Sequence, residues 1–372
     1  MTVVSAPTPE WALARVATVT EGVRDAGLDA LVISADWKHK GSYRYLSGRV
    51  LWSRWAYIVI VPDREPILVV IAPSQRYWAK REGWIEDVRF VERPIEEVAV
   101  ALKDVLKPGS RLGIAGLDDT MRVADYRYLT TELPGVEISD ATGVVAQARA
   151  RKTAAEFDSL RDSMRIAEEA FKGFCDNVRP GASHWALAGE AERIIRGQGC
   201  YDTMILLSDG PFLREPNNLI VQPGDVIMFS IELSGPDGYW VERGGTISIG
   251  QPTDRTRRLF DACYEVFVTI QPLLVPGAEC GQIVRQVDSI LSNSEFARGI
   301  WGGHGIGLDV LEQPVLLPDS RQPIPPKQAI AYHPHVTDLE TSHGAYLADT
   351  FEVHESGGKG LATLPHELVV VG

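Results

Sequence analysis

The sequence predicts an α+β chain of two domains, with a duplicated helix-and-strand domain following a smaller mixed α/β domain. Three observations carry this expectation. The chain has 372 residues, more than one hydrophobic core usually organises. Its N-terminal third alternates short apolar strands with helices. The remainder holds one pattern twice: a long amphipathic helix, a Pro-Gly-Ala break, a shorter helix, then strands. The boundary is placed between residues 148 and 149, giving domains 1–148 and 149–372.

In the N-terminal domain a helix is expected over 11–27, with Leu13, Val16, Val19 and Val23 at helical spacing and Gly27 as its stop. Strands are expected over 30–34, 56–61, 67–71, 88–91 and 111–115, with helices over 75–82 and 95–106. Pro62-Asp63-Arg64-Glu65-Pro66 is a turn between two of the strands. Residues 42–55 read as a loop. They combine Tyr43, Arg44, Tyr45, Trp52, Arg54 and Trp55, planar cations among large rings. Such a set suits recognition of a carboxylate or a cation, and equally an ordinary anchored surface loop.

In the remainder, Phe157, Leu160, Met164, Ala167, Phe171 and Phe174 define a helix over 153–178, which stops at Pro180-Gly181-Ala182. A second helix follows over 184–196. The pattern returns with a helix over 257–274, the break Pro276-Gly277-Ala278 and a helix over 281–292. Strand-rich stretches follow each pair, so the helices are expected to cover one face of a sheet built from both halves.

Composition limits the functions open to such a chain. With 45% hydrophobic and 23% charged residues it is an ordinary globular protein. Its 37 basic and 50 acidic residues give a net charge of −13, which disfavours nucleic acid and anionic membrane as partners. No apolar run approaches the roughly 18 residues of a membrane span. Residues 1–10 lack a basic and then apolar leader pattern, so no secretion signal is expected. Cys175, Cys200, Cys263 and Cys280 form no Cys-x-x-Cys pair, and Cys175 and Cys263 lie on apolar helix faces as packed thiols. A cytoplasmic protein with no cofactor and a small-molecule substrate is the expectation.

Within the duplicated domain four motifs then occur in order: Gly224-Asp225 before an apolar strand, Gly238-Tyr239-Trp240-Val241-Glu242, Gly303-His304-Gly305-Ile306-Gly307, and Asp349-Thr350. Each alone is modest, since glycine clusters usually mark turns. As an ordered set they resemble the pita-bread superfamily of methionine aminopeptidase, Xaa-Pro peptidase (prolidase) and creatinase. The resemblance covers residue 153 to the C-terminus, and the N-terminal domain is similar to the one that creatinase and prolidase add.

The metallopeptidases of that superfamily bind two divalent metals through two aspartates, a histidine and two glutamates. Carried over, those positions are Ser230, Glu242, His304, His333 and Ala348. Serine and alanine supply no bridging carboxylate, although Glu232 lies two residues on from Ser230 along the strand. A second family histidine is here Leu311, followed by Glu312. The upstream histidine that creatinase uses falls near Leu213 or Arg214, where none is present. The resemblance therefore implies a creatinase-like member without most of the metal set. It also implies a homodimer in which Arg54, beside Trp52 and Trp55, reaches the partner's site.

His304, His333, Glu242 and Glu232 are the candidate catalytic groups, because imidazoles near carboxylates exchange protons close to neutral pH. Tyr239, Arg243, Glu312, His335, Trp52 and Arg54 are candidate substrate contacts, and Asp349 is a further member of the converging set. Carboxylates also hold a guanidinium, amidinium or ammonium group. His184, His343, His354 and His366 are read as solvent or packing residues. Three functions fit: metal-independent hydrolysis or elimination on a C–N or related bond of a small zwitterionic substrate; an Xaa-Pro peptidase-like reaction at a non-standard metal site; or ligand binding without turnover.

Overall fold

The computed structural model describes residues 9–300 and 302–372. Most of the N-terminal stretch considered for a secretion signal lies outside those residues. The chain divides into two compact units, Met1–Arg149 and Ala150–Gly372.

The first unit runs α1 (Glu10–Asp25), β1 (Ala30–Asp36), α2 (Gly41–Ser47), β2 (Trp55–Ile60), β3 (Ile67–Val70), α3 (Pro73–Glu82), β4 (Asp87–Phe90), α4 (Pro94–Lys103), β5 (Arg111–Ala115), α5 (Val123–Glu132), β6 (Glu137–Asp140) and α6 (Thr142–Ala150). Its six strands lie in the order β4-β3-β2-β1-β5-β6. Only β2 runs antiparallel to its neighbours. Val32, Tyr57, Val59, Ile95, Leu102, Leu112 and Ile114 share the core on one face of this sheet.

Two details depart from the sequence reading. On α1 the inward positions are Ala12, Val19 and Val23, while Leu13 is 56% exposed. The stretch expected as a loop over 42–55 begins with helix α2, which buries Tyr43, Arg44 and Tyr45. Trp52 and Arg54 do stand in solvent, and the Arg54 guanidinium lies 4.9 Å from the centre of the Trp55 ring.

The second unit contains α7 (Ala154–Asn177), α8 (His184–Gly197), β7 (Thr203–Ser208), β8 (Val226–Ser234), β9 (Trp240–Ile249), α9 (Asp254–Ile270), α10 (Cys280–Leu291), β10 (Ala297–Arg298), β11 (Gly303–Gly305), β12 (Glu312–Val315), β13 (Ala329–Tyr332), β14 (His335–Asp338), β15 (His343–Tyr346), β16 (Asp349–His354), β17 (Gly357–Gly360) and β18 (Val369–Val371). They form sheets ordered β18-β9-β8-β7, β12-β11-β13-β16-β17 and β10-β14-β15. The duplication is visible in the breaks. Gly181 and Gly277 both take positive φ, 90° and 82°, a conformation that a Cβ disfavours. Each donates its N–H across to a later loop segment, to Val221 O at 2.9 Å and Ile324 O at 2.8 Å.

Helix α7 starts at a reciprocal capping box between Thr153 and Glu156, the kind of N-cap whose loss costs about 1 kcal/mol. Every apolar position named for it from the sequence is buried. Phe174 stacks on Phe229 of β8 with ring centres 3.6 Å apart. Side chains alternate along a strand, so Phe229 and Ile231 turn to the helices while Met228, Ser230 and Glu232 turn the other way. On β9 Gly245 faces Phe171, and Glu242, Gly244 and Thr246 share the face of Ser230. The two halves join at that face. Gly244 and Ala348 exchange backbone hydrogen bonds, and the Glu242 N–H donates to Thr350 Oγ1 at 2.9 Å.

Candidate active site

The glycines around His304 are required by close packing. A Cβ at Gly305 would sit 2.6 Å from the Gln328 side chain, and one at Gly307 would sit 2.6 Å from the Glu312 carboxylate. With these contacts β11 lies between β12 and β13, its register with β12 shifting between His304 and Gly305, and His304 is 4% exposed. Its Nδ1 lies 2.8 Å from Gly305 O. A carbonyl only accepts, so Nδ1 carries the proton and Nε2 keeps its lone pair. The loop that follows is tied by Glu312, which accepts from the N–H groups of Leu308 and Asp309. Glu312 also pairs with buried Lys152 at 3.0 Å.

His333 leaves the end of β13, with its N–H bonded to Gly302 O at 2.9 Å. Its ring centre lies 5.4 Å from that of His304, and its Nε2 lies 4.0 Å from Glu242 Oε2. Glu242 Oε1 accepts from Ser230 Oγ at 3.2 Å and from the Tyr346 hydroxyl, while Oε2 has no hydrogen-bond partner. Glu232 is the direct cross-strand neighbour of Glu242, and its Oε2 also lacks a hydrogen-bond partner. All four groups are buried.

Burial governs the electrostatics of this cluster. It raises the Glu232 pKa well above the ordinary carboxylate value, and the charge on Glu242 pushes the same way. Glu242 is also raised by burial, against opposing effects of His304, Tyr346 and Ser230. The imidazoles move down. His304 falls to about 4 through burial and the neighbouring His333, and His333 falls to about 4 through burial. At neutral pH the centre therefore holds two neutral imidazoles beside two carboxyl groups whose ionised forms burial disfavours unless a positive charge is supplied.

Of the other residues singled out from the sequence, His335 stands on the flank. Its Nε2 bonds Pro211 O at 2.8 Å, and its ring meets the edges of Phe212 and Tyr346. Arg243 and Tyr239 do not join the cluster: Arg243 is at an odd-numbered position of β9, on the face toward the helices, and Tyr239 precedes the strand. The Arg243 guanidinium lies 4.7 Å over the Phe171 ring and donates to Gly244 O and, at 3.1 Å, to Pro365 O. The Tyr239 hydroxyl donates to Glu156 Oε1 at 2.7 Å. Asp349 also lies on that side, accepting from the N–H groups of Thr350 and Ala362, with His366 beside it at 3.9 Å. His184 is wholly buried, and His354 is exposed. Trp52 and Arg54 belong to the first unit.

Tyr346 is the residue that sequence reasoning missed. It lies two positions before Ala348 on a run of small and apolar residues, so it reads as core. Only the fold brings Gly244 opposite Ala348, two small residues facing one another where the ring needs room.

Fold and cluster together define a two-domain enzyme class with a duplicated α+β domain that buries carboxylate and imidazole groups between its halves. Residues 158–355 match metallopeptidase family M24 and residues 15–151 match the creatinase/prolidase N-terminal domain, and the chain belongs to that family. Its duplicated domain is the pita-bread arrangement. An uncharacterized peptidase of Bacillus subtilis (strain 168) is 24% identical over 93% of this chain and 96% of its own length. An Xaa-Pro dipeptidase of Lactobacillus delbrueckii subsp. lactis is 26% identical over 68% of this chain and 71% of its own. Among solved structures, the Xaa-Pro dipeptidase from Bacillus anthracis superposes with a TM-score of 0.82 at 21% identity, covering 97% of this chain and all of that one.

The paired-metal centre implied by the family does not fit these residues. Ser230 and Ala348 offer no carboxylate, and Ser230 is hydrogen-bonded to Glu242. A single cation does fit one group of the described residues: Glu242, His304 and His333 each offer a ligand atom, all within 4.8 Å of one another.

Proposed function

We propose that this family M24 hydrolase splits a C–N bond in a small, amino-acid-like substrate that carries a cationic nitrogen, without a paired-metal centre. The observation that carries the reading is the buried pair Glu232 and Glu242, two adjacent carboxylates whose Oε2 atoms lack hydrogen-bond partners, beside two imidazoles held neutral. A guanidinium, amidinium or ammonium group would supply the missing positive charge and the missing donors together.

In this reading a neutral imidazole takes a proton from water as the water oxygen attacks the substrate carbon. The imidazolium formed at His333 is stabilised by Glu242, 4.0 Å away, and returns its proton to the leaving nitrogen as the C–N bond breaks. One water is consumed, and its parts appear as the new C–O bond and the new N–H bond. His335 and the Phe212 ring wall one side of the centre.

The triad's close approach favours a second reading, in which one divalent cation binds Glu242, His304 and His333. Two histidines and one glutamate form a known zinc set, and a bound zinc would supply an activated water and a Lewis acid.

Pairing of two copies belongs to the same proposal, with exposed Trp52 and Arg54 and half-buried Trp55 offered to the partner's cleft and the substrate carboxylate as their ligand. Light scattering that finds a monomer at working concentration overturns this part.

The reaction is tested by assaying chelator-treated protein on dipeptides, N-acyl amino acids, and guanidino and amidino acids. Turnover confined to substrates with a cationic nitrogen is expected. Turnover of neutral substrates at equal rates overturns the reading.

A further inference from the structure

Ser230 and Ala348 stand where the resemblance implies carboxylates, and the Tyr346 ring packs on Ala348 with its hydroxyl beside Ser230. Tyr346 is 2% exposed and packs with Met228 and Ala348. The ring fits only because Gly244 lacks a side chain, since a Cβ there would collide with the ring and stand 3.1 Å from Ala348 Cβ. The backbone of Tyr346 is clamped by Thr246, whose Oγ1 accepts from Tyr346 N at 2.9 Å and donates to Tyr346 O at 3.0 Å. The His333 ring lies nearly parallel to the Tyr346 ring, with centres 6.2 Å apart and an angle of 25°.

The phenol of Tyr346 ends at Glu242 Oε1, beside the Ser230 hydroxyl. A phenol O–H donates one hydrogen bond and carries no charge, so it can satisfy a buried carboxylate oxygen without a cation. The consequence for Glu242 is directional. Oε1 is engaged by two hydroxyls, and Oε2 is left facing His333.

We propose that Tyr346 is the positioning residue of this centre: its hydroxyl fixes Glu242 through Oε1, presents Oε2 alone to the ligand, and closes the centre to a second cation. This rests on the reading of Glu242, His304 and His333 as the reaction centre.

The test counts bound cations and needs no substrate, so its failure is separate from failure of the proposed reaction. The double variant Ser230→Asp/Ala348→Glu restores the missing carboxylates while keeping the phenol. It is dialysed against Mn²⁺ and analysed for metal beside the triple variant that adds Tyr346→Phe. At most one equivalent is expected for the double variant and two for the triple. Two equivalents with Tyr346 in place, or no gain on its removal, overturns the proposal.

The single variant Tyr346→Phe keeps the ring, and hence the packing, if the others do not fold. Its crystal structure is expected to show the Glu242 carboxylate turned from its present orientation, and an unmoved carboxylate overturns the proposal. In an assay the same variant is expected to lose about tenfold in kcat with KM changed less than about twofold, the pattern of a lost transition-state contact. A space-filling role would leave both unchanged.

Discussion

Glu232 on β8 and Glu242 on β9 stand directly opposite each other across an antiparallel ladder, both buried and both on the face where the two halves meet. Like charges in cross-strand pairs destabilise a sheet. Here both groups are buried away from bulk solvent, and burial raises the pKa of each. A fold that keeps such a pair sacrifices stability at a site where a cationic ligand can recover it.

The first prediction follows from that cost. Glu232→Gln removes a buried carboxylate and keeps its shape, so the unliganded protein should melt higher at neutral pH. A chain unit of this size gains about 2–4 °C for each kcal/mol. The same change should lower kcat/KM for a cationic substrate by about 10²-fold or more. Scanning calorimetry and steady-state kinetics on one preparation check both directions; an unstable variant with full activity contradicts the assignment.

His333→Ala should cost at least about 10²-fold in turnover, the scale of a lost acid–base group. Its depressed pKa sets the pH dependence. Burial holds it near 4 when no ligand is bound, so the neutral form persists to mildly acidic pH and activity should decline only as pH falls toward that value. A loss of tenfold or less in the alanine variant would reduce His333 to a packing role.

Asp349 gives a stability prediction that is independent of substrate. Burial raises its pKa from 3.8 to about 7, against the opposing charge of Arg243. A carboxyl with a raised folded-state pKa contributes stability that is complete below its unfolded value and is lost as pH rises through its folded value. Asp349→Asn removes that dependence, and its amide oxygen can still accept from Thr350 and Ala362. The melting temperature of the variant relative to the parent should therefore climb from pH 4 to pH 7. A constant difference across that range contradicts it.

The sequence was informative wherever one local rule determined the structure. Helical spacing placed the buried face of α7, and the two Pro-Gly-Ala breaks disclosed the duplication, because both glycines need the same positive φ. Ordered motifs located Glu242, His304 and His333, which the structure brings together from β9, β11 and the end of β13. Arg243 lies beside Glu242 in sequence but on the opposite face of the strand, and Tyr239, just before β9, has its hydroxyl on Glu156. Tyr346 was invisible for a different reason. Its role depends on a long-range vacancy made by Gly244 and Ala348, which no local pattern encodes.

The last prediction is that the purified protein holds at most one divalent cation per chain. Two cations at the roughly 3.5–4 Å spacing of paired-metal sites repel strongly unless carboxylates bridge them. Ser230 has no charge to offer and already donates to Glu242, and Ala348 has no ligand atom. Glu242 could bridge only by releasing the hydroxyls of Ser230 and Tyr346 from Oε1. Glu232 adds a carboxylate on the same face, but the two imidazoles add no charge, so at most two negative charges would face four positive ones. A single ion meets no such obstacle at Glu242, His304 and His333. Elemental analysis of protein purified without chelator supplies the stoichiometry, and activity after chelation separates the cation-free and single-cation readings. Two equivalents of manganese, cobalt or zinc, with activity lost on removal and regained on addition, would falsify both.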